Sequence, residues 1–143
     1  MILALAYCIN LLSKEMMTAQ YVVGATEQWL TPGLLPLMTF FLSAFISFAT
    51  GTSWGTYAIM IPIALPLAYQ FSGETFSSVV LGTFAAVGGG GVFGDHCSPL
   101  SDTTVLASLG SASDHIDHVR TQLPYALSVA AVVSILYLII GFA

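Results

Sequence analysis

Charge is what this sequence has least of. Asp, Glu, Lys and Arg make up 6% of its 143 residues, where a soluble globular domain carries about 25%. A domain this short leaves much of its surface exposed, and nine charges cannot solvate that surface. A water-soluble fold is therefore excluded. Basic residues are scarcer still, with only Lys14 and Arg120 present. Nucleic-acid recognition needs clustered Lys and Arg, so no nucleic-acid partner is expected. Cysteine is also sparse. Cys8 and Cys97 have no disulfide-framework or zinc-ribbon spacing and read as reduced, buried thiols. The first residues lack the basic stretch and small-residue cleavage site of a signal peptide. No polar stretch is long enough to form a separate catalytic domain.

What the sequence has instead is apolar length. Hydrophobic residues make up 57% of the chain, and its mean hydropathy is +0.91. Residues 1–13, 28–73, 75–94 and 121–143 carry no charge. A membrane-spanning helix needs roughly 20 mostly apolar residues. The chain therefore reads as one all-α, polytopic transmembrane domain over residues 1–143, with the lipid bilayer as its solvent. Met1–Leu12 is too short to span alone, with Lys14 and Glu15 beside it and Tyr21 and Trp29 as interfacial aromatics. Apolar arms follow at 33–49, 57–71 and 76–93, then a short half-helix at 105–110 and a final span at 123–143. Residues 111–122 read as a polar loop, and the run Gly88–Gly91 disfavours a regular helix.

Two polar breaks interrupt these arms: Thr50-Gly51-Thr52-Ser53-Trp54-Gly55-Thr56, and Gly94-Asp95-His96-Cys97-Ser98-Pro99-Leu100-Ser101-Asp102-Thr103-Thr104. Residues 33–71 are too long for one straight span, so the first break is either a hairpin tip or the unwound centre of a bent segment. In lipid, non-helical backbone survives only where protein buries it or a polar cavity lines it. Such discontinuities expose carbonyls and helix termini that hold ions in many transporters. The first break offers hard hydroxyl and carbonyl oxygens suited to an alkali cation. Its Gly51 and Gly55 also suit close helix packing.

The second break carries Asp95 and Asp102. A carboxylate at bilayer depth costs roughly 2.5–3.5 kcal/mol on insertion scales, so two of them point to function. A bound cation favours the ionised carboxylate, and its loss favours the protonated one. That competition is the physical basis of cation/proton exchange. Asp102, followed by Thr103 and Thr104, is the first choice of ligand, with Asp95 as second ligand or proton carrier. Helix capping by Asp102 and a turn role for Asp95 are the structural alternatives.

Other groups read as structural. Asp95, His96 and Cys97 are adjacent, three adjacent residues rarely all face one ion, and no second cluster has suitable spacing. Asp114-His115-Ile116-Asp117-His118 reads as a solvated loop whose histidines can sense pH. Trp54 reads as a packing residue. Ser53 is not in a nucleophile elbow, and Gly88–Gly91 lacks the lysine of a phosphate loop. No enzyme constellation is present, no resident metal or cofactor is implied, and the chain reads as a transporter.

The strings Phe48–Thr56, Gly94–Leu106 and Asp114–Tyr125 resemble the NhaC family of Na⁺/H⁺ antiporters. The resemblance covers most of the chain. It implies an inner (plasma) membrane, multi-pass transporter with broken or re-entrant helices. This chain would then be one half of an inverted-repeat fold of the ion-transporter superfamily. It also implies sodium/proton exchange, with some relatives exchanging organic acids such as malate and lactate; a Na⁺- or H⁺-coupled exchanger of organic acids or amino acids is the alternative reading. On the matching motifs, Thr52, Ser53, Asp95, Ser98, Asp102 and Thr103 are placed around a transported Na⁺. Family members are longer, so the chain is expected to be a C-terminal portion, completed by an N-terminal half or by a second copy. Alone, it would be an inactive membrane fragment.

Overall fold

The computed structural model describes residues 31–143 together with Leu12, Glu15 and Met16. Met1–Leu12 apart from Leu12 itself, Lys14, and the aromatics Tyr21 and Trp29 lie outside the described residues. Among the described residues a 3-10 turn, Pro32–Leu34, precedes five α-helices: α1 Leu35–Thr50, α2 Ser53–Phe71, α3 Ser78–Cys97, α4 Asp102–Gly110 and α5 His115–Phe142. Among the described residues there is no strand.

Local chemistry sets the helix ends. Proline sits in the opening turns of α1, where its missing N–H has no intrahelical partner to lose. Gly51 ends α1 in the left-handed region at φ +68°, and its N–H returns to the Ser47 carbonyl at 2.8 Å. That conformation suits glycine and reverses the chain. Thr52 then caps α2 by accepting from the Gly55 N–H at 3.4 Å. Leu35 packs with Ala68, and Ile46 with Met60. The first break is thus the tip of an antiparallel helical hairpin, and only Gly51 and Thr52 lie outside helix.

Three expected boundaries move. Helix α3 runs unbroken through Gly88–Gly91 and on to Cys97. The reason is tertiary packing. A Cβ on Gly90 would strike the Phe40 carbonyl, and one on Gly94 the Ala44 carbonyl. In lipid, small residues let helix backbones approach this closely, and a helix satisfies its own backbone groups. That outweighs the weak propensity of glycine. Second, α4 begins at Asp102, so the second break shrinks to Ser98–Ser101. Third, α5 begins at His115, leaving 111–114 as the loop. Asp114 caps α5, accepting from the N–H groups of Ile116 at 2.9 Å and Asp117 at 3.2 Å.

Helices α1 and α3 lie side by side and run the same way, with Phe40 beside Gly90 and Phe48 beside Ser98. Helix α2 returns antiparallel to both. Helix α5 is also antiparallel, placing Gly141 on Gly33, Tyr137 on Phe40 and Gln122 on His96. Both breaks therefore fall at one end of the bundle. Among the described residues, three helical stretches are long and apolar enough to cross a membrane: Pro32–Thr50, Ser78–Cys97 and His115–Phe142. Val129, Val132, Ile135, Leu136 and Ile139 of α5 are exposed, as expected of a surface solvated by lipid or neighbouring helices.

Tyr137 fastens α5 to α3, its hydroxyl donating to the Ala85 carbonyl at 2.9 Å. Replacing it by Phe keeps the ring and loses that bond. Tyr137→Phe is expected to cost about 1 kcal/mol, read as a few degrees of Tm in detergent. An unchanged Tm would mean that the bond contributes nothing net.

Candidate functional site

Asp95 stands where α1 ends, α2 begins and α3 ends. It is buried, at 9% exposure. Ser53, the first residue of α2, donates its hydroxyl to Asp95 Oδ2 at 3.0 Å. Ser101 donates to Oδ1 at 2.5 Å. Each carboxylate oxygen thus holds one hydroxyl donor, and each donor comes from a different break. Because Ser101 spends its proton on Asp95, the 2.7 Å contact between Ser101 Oγ and Thr103 Oγ1 has Thr103 as donor. The Thr103 N–H also reaches Ser101 Oγ, at 3.2 Å. Thr103 therefore supports the carboxylate through Ser101. The N-terminus of α2 adds a partial positive charge beside the carboxylate.

The second break is tied down on several sides. Ser98 Oγ donates to the Phe48 carbonyl at the end of α1 at 2.8 Å and accepts from the Leu100 N–H at 3.1 Å. Thr104 Oγ1 reaches the carbonyls of Asp95 and His96 at 3.3 and 3.2 Å. His115 Nε2 donates to the Pro99 carbonyl at 2.8 Å, and its Nδ1 meets Ser108 Oγ at 3.1 Å. A Cβ on Gly51 would come within 2.9 Å of the Leu100 carbonyl group. The backbones of the two breaks are therefore in contact.

Of the six positions singled out in the sequence, Ser53 and Asp95 touch directly and Thr103 joins them through Ser101. Ser98 fastens the break to α1 without touching the carboxylate. Thr52 Oγ1 is committed to capping α2. Asp102 is exposed at the first turn of α4, where its Oδ1 accepts from the Thr103 N–H at 2.8 Å. Asp95 therefore lies at the centre of the cluster, and Asp102, the first choice from the sequence, at its edge. The residue that sequence reasoning left out is Ser101. Its signal was a serine one position before an Asp-Thr-Thr helix start, the pattern of an N-cap.

Trp54 is exposed and meets Tyr57 edge-on, with ring centroids 6.1 Å apart. Cys97 is a buried free thiol, and Cys8 lies outside the described residues. Among the described residues no three His, Cys, Asp or Glu side chains gather as a metal site. A cavity of about 590 Å³ opens between α3 and α5 beside Phe40 of α1, lined also by Val92, Phe93, Tyr125 and Val129 with His96 at its edge. It is apolar and lacks the oxygen ligands that a hard cation needs. The Asp95 cluster has them.

Compared with known proteins, residues 1–142 match the profile of the Na⁺/H⁺ antiporter family. The chain belongs to that family. It is 45% identical over 141 residues to an uncharacterized protein of Haemophilus influenzae, covering 99% of this chain and 26% of that protein. It is 35% identical over 115 residues to the malate-2H(+)/Na(+)-lactate antiporter of Bacillus subtilis, covering 80% and 24%. It is 29% identical over 130 residues to the Na(+)/H(+) antiporter NhaC of Alkalihalophilus pseudofirmus, covering 79% and 27%. The chain spans about a quarter of the length of the curated relatives it matches. No solved structure matches it. Asp95 is the buried carboxylate of the described helices.

Proposed function

We propose that this segment supplies the carboxylate half of a site that exchanges Na⁺ for H⁺ across the inner membrane. The observation that carries the reading is Asp95, buried and held by one hydroxyl from each of two touching helix breaks. With Na⁺ bound, the carboxylate is ionised and cation, Ser53 and Ser101 share its oxygens. When Na⁺ leaves, a buried charge without a counter-ion is unfavourable, and a proton replaces it. No cofactor enters this cycle. The relatives are far longer, so the remaining cation ligands come from other segments of the transporter or from a second copy.

A second reading has its own support. The Bacillus subtilis relative is a malate/lactate exchanger by name, and free N–H groups at a helix start such as that of α2 can hold an organic carboxylate. The test is transport by the complete gene product in vesicles. An imposed Na⁺ gradient should move protons without added organic acid. Proton movement that appears only with malate, lactate or an amino acid present would favour the second reading. Silence under every condition would sink both.

Ser101→Ala removes one of the two donors and leaves the carboxylate in place. It is expected to raise the KM for Na⁺ several-fold while the maximal rate changes little. A fall in maximal rate at constant KM would make Ser101 part of the proton step instead.

A further inference from the structure

Thr39, Ser43 and Ser47 recur every four residues along one face of α1. All three are buried, and Ser43 and Ser47 have no exposed surface. On α3, Thr83, Val87, Gly91 and Asp95 recur at the same spacing, and Thr83 is also fully buried. The α1 face meets the α3 backbone, Ser47 Oγ donating to the Gly91 carbonyl at 2.6 Å and Ser43 lying against Gly90, while α2 covers the α3 face, with Tyr57 against Gly91 and Met60 and Ala64 packed with Val87. Thr83 therefore shares a helical face with Asp95. At about 1.5 Å per residue the two are about 18 Å apart along α3, more than half of a ~30 Å hydrocarbon core. Val87 fills that face between them, so polar continuity runs along α1 through Thr39 and Ser43.

Two of these hydroxyls stand out. Ser43 Oγ and Thr83 Oγ1 are buried with no hydrogen-bond partner among the described residues. A helical Ser or Thr ordinarily turns its hydroxyl back to the carbonyl one turn earlier. In this chain Thr50, Thr56, Thr121 and Ser134 do so, at 2.8, 3.0, 2.9 and 2.7 Å. Ser43 and Thr83 do not. Buried hydroxyls are otherwise paired with protein or with ordered water. Close helix packing explains why the side chains are small. Alanine would serve that purpose, so packing does not explain the oxygens.

We propose that Ser43 and Thr83 bind ordered water in the bundle core, where α1 and α2 pack on α3. With Thr39 and Ser47 they form a hydroxyl track along which protons reach Asp95 from the opposite end of the bundle. Each hydroxyl or water accepts one proton and passes on its own, and the last proton rests on the Asp95 carboxylate. The route rests on the exchange reading above, whereas the water sites stand without it.

The test uses Ser43→Ala and Thr83→Val in the complete gene product, with two readouts. The first is Tm in detergent. Deleting a hydroxyl that has no partner stabilises a protein, while deleting one that holds water does not. The second is Na⁺-driven proton flux in vesicles. The proposal expects no rise in Tm and a flux loss of at least about tenfold, as when a proton-transfer partner is removed. A rise in Tm in either variant, or unchanged flux in both, overturns it. If wild-type protein moves no protons, the exchange reading fails and takes the route with it. The Tm comparison then still decides whether the two hydroxyls hold water.

Discussion

Asp95→Asn in the complete gene product is expected to reduce Na⁺-driven proton movement to background, a loss of at least about a hundredfold, while Asp102→Asn retains much of the rate. Asn preserves the size of the side chain and can still meet Ser53 and Ser101. It can neither carry the negative charge that a cation needs nor release a proton when the cation arrives. Both halves of the exchange fail together. Asp102 offers the contrast because its carboxylate is exposed and engaged with the N–H of its own neighbour. Its charge near the N-terminus of α4 is worth about 0.3–1 kcal/mol through the helix dipole, so its loss shows in stability before transport. Measuring both variants side by side in vesicles decides the matter. Equal loss in both would place Asp102 in the ion's path despite its position here. Full activity of Asp95→Asn would end the carboxylate mechanism.

The contrast between the two aspartates shows how far a one-dimensional reading reaches. The apolar runs and the paucity of charge made a membrane-embedded helical chain legible, because bilayer thickness acts directly on segment length. The two breaks were legible too, since Gly, Ser and Thr clusters are conspicuous between apolar arms. Their extent was not. Ser53 and Asp95 look like loop residues by composition, yet both are helical, because the neighbouring helices supply packing that propensity does not count. The ranking of Asp102 over Asp95 followed from Thr103 and Thr104 as adjacent oxygens. Sequence adjacency says nothing of which way a side chain turns once Ser101 starts a helix. Ser101 itself was hidden for the same reason: a capping serine and a carboxylate partner look alike until the chain folds back on α3. The polar stretch 111–122 misled in another way. Its charges suggested a loop, but Asp114 caps a helix that carries them.

The glycines of α3 are where sequence and structure part most, and they yield the second large effect. Gly94 precedes Asp95 and lies against α1 so closely that a Cβ would strike the Ala44 carbonyl and come within 2.7 Å of the Phe48 nitrogen and Ser47 Cβ. Two of those are backbone atoms and cannot swing aside. Gly94→Ala must therefore push α1 from α3. That strains the Ser47–Gly91 and Ser98–Phe48 hydrogen bonds, at 2.6 and 2.8 Å, that bracket the site. Overpacking of this kind costs about 1–3 kcal/mol, and Asp95 moves with the backbone, so a lower Tm and a large loss of exchange should appear together. Gly88 is the matched control in the same helix. A Cβ there meets nothing within 4 Å, and Ala is the better helix former by up to about 1 kcal/mol. Gly88→Ala should be neutral or stabilising and should transport normally. Equal tolerance at both positions would mean that α1 and α3 do not meet at Gly94. Equal damage at both would mean that the run is needed for something other than close approach. Damage confined to Gly94 would mean that glycine is required there to bring α1 close enough for both breaks to share a single carboxylate.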